Sequence, residues 1–113
     1  MEYILNRTAK GIVFKCSHCQ KIHIEFNNIN LNLAEKEYRE FSCHIQNIDG
    51  EYWEKSNERS IFNRKIRIPI FNMSICLMLN LEELKELQEL LFSSSLSAES
   101  YLLMQVKKIH NLN

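Results

Sequence analysis

The spacing of apolar residues changes twice along the chain, and this change constrains the fold more than any other feature. On each occasion apolar side chains first alternate with polar ones and then recur every third or fourth residue. Alternation is typical of a strand with one buried face, and the longer spacing is typical of an amphipathic helix. The sequence therefore predicts two strand-strand-helix units.

The strands of both units are predicted from apolar residues at every second position. Asn27 and Asn28 form the turn in the first unit, because Asn tolerates a left-handed backbone. Residues 71–72 are predicted to form the reversal in the second unit. The strand residues predicted to face the core are Ile22, Ile24, Phe26, Ile29, Leu31, Leu33, Ile66, Ile68, Ile70, Ile75, Leu77 and Leu79.

The helices are predicted from apolar stripes. The first is expected to end at Asp49 and Gly50, where Gly would supply the positive φ of a helix C-terminus. In the second, Asn80 and Glu83 have the spacing of a capping box, with Asn in place of Ser or Thr. The stripe residues are Ala34, Tyr38, Phe41, Ile45 and Ile48, then Leu81, Leu84, Leu87 and Leu91.

The two units can be laid on each other in sequence. Residues 31–41 and 77–87 have the same order of apolar and polar positions. One explanation is that the two halves arose by duplication. The other is that any two strand-to-helix junctions have a similar pattern of apolar residues. Both explanations predict pseudo-repeated ββα halves, because periodicity reports architecture even where identity is low.

Two more strands are expected before the first unit. Residues 2–8 are predicted as an edge strand and residues 12–16 as its neighbour, in which Ile12, Phe14 and Cys16 share one face. We interpret that face as buried, which would make Cys16 an inert thiol. The resulting prediction is an α+β fold, with an antiparallel sheet of about five or six strands and two amphipathic helices on one face.

The length of 113 residues allows one domain and is too short for two independent cores. We predict a single α+β domain over residues 1–92, with halves at about 11–50 and 61–92. A polar connector between the halves should pack Tyr52 and Trp53 onto the domain. Residues 93–113 are predicted to be a serine hinge followed by a C-terminal helix or tail.

The charge balance bears on partners and location. Fourteen basic and fourteen acidic residues cancel, so we expect binding neither to nucleic acid nor to a membrane surface. No apolar run approaches the ~20 residues that span a bilayer, and we see no export signal. We therefore expect a cytoplasmic protein whose four cysteines are reduced thiols or metal ligands.

Several motifs in a fixed order resemble a family of small uncharacterised proteins from Bacteroidetes, a domain of unknown function. The likeness covers residues 10–92 and leaves the tail outside. It implies a bacterial, cytoplasmic origin and supplies no activity, cofactor or catalytic residue. The motifs are Cys16-x-x-Cys19, Ile24-x-Phe26-Asn27-Asn28, Ile48-Asp49-x-x-Tyr52-Trp53-Glu54 and Arg64-Lys65-Ile66-x-Ile68-Pro69-Ile70, followed by the helical segment with Glu82, Glu83, Leu84, Leu87, Leu90 and Leu91.

Cys16 and Cys19 form the sharpest local signal for chemistry. Two thiolates two residues apart in a tight turn can hold one zinc ion, as in a zinc knuckle. His18 and His23 are near in sequence, and Cys43 and His44 are the other candidates for a four-ligand site. At about 100° per residue Cys43 falls opposite the apolar stripe of its helix, which disfavours a site shared with Cys16 and Cys19 within one chain.

The sequence gives weaker evidence for catalysis than for metal binding. A Cys-x-x-Cys pair that joins two strands lacks the helix N-terminus that lowers a thiol pKa in redox motifs. The sequence has no nucleophile elbow, no paired-His metal motif and no Gly-rich phosphate loop. His23 and Glu25 are predicted to share a hydrated outer face of the sheet. We therefore expect a protein that is not an enzyme.

The outer face of the second hairpin suggests an interaction surface. Cys76 and Met78 are apolar where the first hairpin has Asn30 and Asn32, and Phe71 adds to that side. An exposed apolar patch with Met favours self-association or a protein partner, unless the C-terminal segment covers it. We expect a binding or scaffold module without a cofactor; the alternative is a small structural zinc module, and an enzyme is a distant third.

Overall fold

The alternating segments form strands and the striped segments form helices, as their spacing predicts. The structure is a computed structural model, and it describes residues 2–70 and 74–94. In chain order the elements are β1 (Glu2–Arg7), β2 (Gly11–Cys16), β3 (Ile22–Phe26), β4 (Ile29–Leu33), α1 (Glu35–Gln46), α2 (Gly50–Ser56), β5 (Ile66–Pro69), β6 (Cys76–Leu79) and α3 (Leu81–Ser94).

The six strands pair antiparallel, and the predicted α+β class is confirmed. β1, β2, β3 and β4 form one sheet in chain order, and β5 pairs with β6 in a second sheet. The single sheet that we expected is thus divided between β4 and β6. Residues 71–73, and with them Phe71, lie outside the described residues, as does the predicted tail from residue 95 onwards.

The core lies between the inner faces of the sheets and helices α1 and α3. α3 contacts α1, β1, β2 and β6, so one helix joins both sheets. The largest fully buried side chains are Tyr38, Ile22, Ile24, Ile45, Ile66, Ile68, Leu79, Leu84, Leu87, Leu90, Leu91 and Val13. The buried core as a whole contains 15 of the 21 alternating and striped residues that the sequence assigns to it. The assignment of Ile75 to the core is wrong, because it lies just before β6 and is 57% exposed.

Both glycines of the chain lie where α3 approaches another backbone closely. A Cβ on Gly11 would be 2.7 Å from Leu90 Cδ2 and 3.1 Å from the Glu25 carbonyl oxygen. A Cβ on Gly50 would be 2.6 Å from Leu81 Cδ1. Gly50 begins α2 and has no positive φ, so the helix-ending role predicted for it is wrong. A Cβ there would meet only the ends of leucine and isoleucine side chains, which would have to shift.

The predicted connector between the halves contains helix α2. Asp49 caps it by accepting a hydrogen bond from the Tyr52 amide at 3.1 Å. Trp53 is 42% exposed and Tyr52 is 60% exposed, so neither of the aromatics that we expected to pack onto the domain is buried. Their rings contact each other edge to face, at 5.4 Å between centroids.

The face assigned to β2 from its spacing is also wrong. Val13 is fully buried, whereas Ile12, Phe14 and Cys16 are only half-buried on the outer face. Ile12, Val13 and Phe14 are consecutive apolar residues, so alternation alone does not define the inner side. The partner strand decides it, because Val13 pairs with the buried Ile24.

The repeat is visible at the two strand-to-helix junctions. Ala34 and Asn80, 46 residues apart, precede α1 and α3. Each donates its amide to the glutamate three residues later, from Ala34 to Glu37 and from Asn80 to Glu83, both at 2.8 Å. Only the second junction has both hydrogen bonds of a capping box, because Asn80 Oδ1 also accepts from the Glu83 amide at 2.8 Å. Ala34 has no side-chain acceptor for the corresponding bond.

Glu83 also ties the second junction to the segment before β5. Arg64 donates to both of its carboxylate oxygens, at 2.7 and 3.0 Å. This hydrogen bond lowers the pKa of Glu83 below its usual value, against the opposing effect of burial. The capping carboxylate is therefore held in its charged form at neutral pH.

The unequal caps generate the first prediction. Ala34→Asn should stabilise the protein by about 1 kcal/mol, since it adds the acceptor that Asn80 supplies in α3, and Asn80→Ala should destabilise it by a similar amount. Urea unfolding followed by circular dichroism measures both. A loss of stability in Ala34→Asn would show that the two junctions are not equivalent.

The close approach at Gly11 generates the second prediction. Gly11→Ala should destabilise the protein by about 1–3 kcal/mol, because the added methyl group overlaps Leu90 and meets backbone that cannot easily move. Lys36→Ala, on the exposed side of α1, is the control and should change stability by less than about 0.5 kcal/mol. Equal urea midpoints for Gly11→Ala and the parent protein would refute the proposed role of this glycine.

Candidate metal centre

The turn between β2 and β3 brings Cys16 and Cys19 together. Gln20 donates its amide to the Cys16 carbonyl oxygen at 2.9 Å, and the Cys16 amide donates to the Lys21 carbonyl oxygen at 3.2 Å. Gln20 has a φ of 55°, a left-handed conformation that is uncommon for residues other than Gly. This conformation closes the turn directly after Cys19.

The register of the sheet brings His23 to the same side. His23 lies opposite Phe14 on β2 and opposite Asn32 on β4. Cys16 follows Phe14 by two residues, so its side chain is on the same outer face. The Phe14 and His23 rings stack with 4.8 Å between centroids and 19° between planes. The stack holds the imidazole at the end of the face where the turn begins.

Both nitrogens of His23 have defined neighbours. Nδ1 is hydrogen-bonded to Asn32 Oδ1, and Nε2 is 3.3 Å from Cys19 Sγ. A carbonyl oxygen only accepts, so the tautomer that suits this bond has its proton on Nδ1, and in it the lone pair of Nε2 faces the thiol. Metal-binding histidines are held in the same way, with one nitrogen on the metal and the other N–H on an oxygen acceptor.

The three candidate ligand atoms are close enough to share one ion. The Sγ atoms of Cys16 and Cys19 and a ring nitrogen of His23 all lie within 4.8 Å of one another. In a tetrahedral zinc site with Zn–S near 2.3 Å and Zn–N near 2.05 Å, the sulfur–nitrogen and sulfur–sulfur separations are about 3.6 and about 3.8 Å. The cluster therefore needs only small side-chain movements to take an ion.

Cys43 and His44 do not belong to this cluster. Both are exposed on α1, and Cys43 Sγ is 3.5 Å from the side-chain amide of Asn47. Over residues 2–70 and 74–94, Cys16, Cys19 and His23 form the only group of three or more metal-binding side chains. His18, in the same turn, is exposed and outside that group.

His23 is the residue that the sequence placed near the two cysteines without assigning it to the metal site. It was assigned to a hydrated outer face, while Cys16 was assigned to the core. The spacing Cys19-x-x-x-His23 could have assigned it to the site. In this spacing the histidine comes just after a short turn, at an outward-facing position of the next strand. That spacing is informative only when it is known which face of β2 is buried, and alternation alone did not define the buried face.

The predicted interaction residues lie on the other sheet. Cys76 and Met78 are half-buried on β6, opposite Pro69 and Arg67 of β5. The guanidinium group of Arg67 lies 5.1 Å from the centre of the Phe62 ring. Phe71, the third predicted residue, is outside the described residues. Over the paired residues 66–69 and 76–79, the outer face of this hairpin is therefore mixed, with Arg67 beside apolar groups.

Comparison with known proteins identifies a family. The sequence model of the family of unknown function DUF6686 matches residues 1–113. The chain belongs to this family. The match includes the tail, which corrects the expectation that the likeness stops at residue 92. No curated protein and no solved structure matches the chain.

Within the described residues, no helix combines the length and apolar character that a membrane span requires.

Proposed function

We propose that the protein is a small zinc-binding module in which Cys16, Cys19 and His23 are the ligands. The observation that carries the proposal is the orientation of His23, whose Nε2 lies 3.3 Å from Cys19 Sγ while Nδ1 is bonded to Asn32. An imidazole on a hydrated surface has no need of this arrangement. A metal ligand does, because it must present one lone pair in a fixed direction.

The chemistry of the donors selects the ion. Two thiolates and one imidazole suit zinc, which is bound by both sulfur and nitrogen and is tetrahedral in most protein sites. Ions that prefer oxygen, such as magnesium and calcium, are not suited to this set. A three-ligand site leaves a fourth position for water or for a group from another molecule.

The surroundings favour exchange of the ion with solvent. Cys19 is exposed, and Cys16 and His23 are half-buried. The ligands come from one turn and one adjacent strand, so loading the site requires no rearrangement of the core. In a reducing bacterial cytoplasm, which the resemblance to Bacteroidetes proteins implies, both thiols stay available for metal.

Metal content and affinity test this function. Purified protein loaded with zinc and dialysed should retain one zinc per chain, measured by elemental analysis. Cys19→Ser and His23→Ala should abolish retention, because each removes a ligand. Asn32→Ala should weaken zinc binding by about 10- to 100-fold, since it removes only the group that orients His23.

Cys43→Ser is the matched control, because it removes an exposed thiol outside the cluster. It should bind zinc like the parent protein, and all variants should keep the parent circular dichroism spectrum. Loss of zinc in Cys43→Ser to the same extent as in Cys19→Ser, or no retained zinc in the parent protein, would exclude the proposed site.

A second candidate function is protein binding through the second hairpin, and exposed apolar side chains favour it. Ile61 is 93% exposed, Ile75 is 57% exposed and Phe62 is 44% exposed. Phe62 lies against Arg67 of β5, and Ile75 directly precedes β6, whose Cys76 and Met78 are half-buried. We propose that this surface mediates self-association of the chain, with a different protein partner as the other outcome.

Sedimentation velocity tests the second candidate. Ile75→Asp places a charge on an exposed side chain beside β6 and should shift an associated species toward the monomer, because a buried unpaired charge is costly at an interface. Lys36→Asp, on the exposed side of α1, is the control and should leave the distribution unchanged. A parent protein that is monomeric at all concentrations would exclude self-association.

A further inference from the structure

The turn between β2 and β3 places two thiols within reach of each other. The Sγ atoms of Cys16 and Cys19 lie within 4.8 Å of one another. The hydrogen bond from the Gln20 amide to the Cys16 carbonyl oxygen, 2.9 Å long, closes a single turn of helical type. Side chains three residues apart are neighbours in such a turn. A disulfide, with its sulfur atoms about 2.05 Å apart, therefore needs only side-chain rotation and a small adjustment of the turn.

The turn can make this adjustment without disturbing the core. Residues 17–21 are all exposed, and neither Cys16 nor Cys19 belongs to the buried core. The strands on either side are held by their own packing, since Val13 of β2 and Ile22 of β3 are fully buried. A change in the covalent state of the two thiols is therefore confined to the turn.

The two thiols differ in their access to solvent. Cys19 is exposed, and Cys16 is half-buried. Oxidation of a cysteine depends on its exposure, and an oxidant-sensing cysteine often lies beside a second cysteine that resolves it. The other two cysteines, Cys43 and Cys76, lie on α1 and β6 and outside the cluster. Cys16 is thus the thiol that is placed to react with an oxidised Cys19.

We propose that Cys16 and Cys19 are a modification site at which a hydroperoxide joins the two sulfur atoms in a reversible disulfide. With hydrogen peroxide, the Cys19 sulfur first binds one oxygen as the O–O bond breaks, and the other oxygen leaves as water with the thiol proton. The Cys16 sulfur then attacks the Cys19 sulfur. The S–S bond forms, the S–O bond breaks, and the hydroxyl group leaves with the Cys16 proton as a second water. The two thiols together lose two electrons, which the peroxide gains.

This reaction controls the metal in the site, a consequence that rests on the zinc-binding function proposed above. Zinc is bound by thiolate sulfur, and a disulfide sulfur carries no charge. In the zinc-loaded protein the two protons come from solvent, and oxidation leaves His23 alone of the three ligands. One imidazole is too few ligands to retain the ion. Exposed disulfides are readily reduced, so a dithiol that gives up two electrons and two protons restores both thiols and the site.

Peroxide treatment of the full-length Cys43→Ser protein, which lacks the exposed thiol of α1, tests the proposal. One equivalent of hydrogen peroxide should remove two thiols per chain, and peptide mass mapping should find a disulfide between Cys16 and Cys19. From the zinc-loaded protein, one zinc per chain should be released at the same rate, measured with a colorimetric zinc indicator. Dithiothreitol should restore the thiols and zinc binding, and the circular dichroism spectrum should stay unchanged throughout.

Two further substitutions in the Cys43→Ser protein separate the roles of the thiols. Cys16→Ser should stop the reaction at the sulfenic acid of Cys19, which dimedone captures, because the second sulfur is missing. Cys76→Ser is the matched control, since it removes a half-buried thiol outside the cluster. It should form the disulfide as readily as the Cys43→Ser protein.

The metal-free protein, treated in the same way, distinguishes failure of this proposal from failure of the zinc-binding function. A chain that retains no zinc refutes that function, yet a disulfide between Cys16 and Cys19 in it still supports the modification site. Oxidation of Cys19 to a sulfinic acid without a disulfide, or a disulfide from Cys19 to Cys76 or to a second chain, would overturn the proposal. Zinc that stays bound after the disulfide has formed would overturn its control of the metal.

Discussion

The register of β2, β3 and β4 is the constraint on which the candidate site depends. On the inner face Val13, Ile24 and Leu31 lie in one row across the three strands, and the same pairing places Phe14, His23 and Asn32 in the next row outside. A slip of one residue would move the histidine into the core and Ile24 to the surface. Burial of the inner row therefore fixes the position of His23 relative to Cys16 and Cys19, although none of these three residues belongs to the core.

Helix α3 plays the corresponding role for the two sheets. It contacts β1 and β2 of the first sheet and β6 of the second. The approach is close enough that a Cβ at Gly11 or at Gly50 would displace the end of a leucine side chain of α3. Each ββα unit ends in one helix, α1 in the first and α3 in the second. Because these two helices pack side by side in one layer, the two sheets share them. The unit that ends in α3 has the complete cap, at Asn80 and Glu83.

Periodicity predicted the α+β class, the two ββα units and most of the core, because burial of one face imposes a period on each strand and helix. It did not predict the division of the sheet, since nothing in β4 or β6 alone specifies which edges pair. It also assigned the wrong face of β2 to the core, because Ile12, Val13 and Phe14 are all apolar. That error kept His23 apart from the cysteines: Cys16 and Cys19 could be identified from their spacing, whereas the place of His23 beside them is defined only by the pairing of β2 with β3.

Extended X-ray absorption fine structure at the zinc edge of the loaded protein tests the proposed metal centre most directly, because it counts the atoms bound to the ion. The expected first shell has two sulfur atoms near 2.3 Å and one imidazole nitrogen near 2.0–2.1 Å, completed by one light atom at the open position. His23→Ala, if it retains any zinc, should lose the imidazole signal. A shell without sulfur, or one with four sulfur atoms, would contradict a centre built from Cys16, Cys19 and His23.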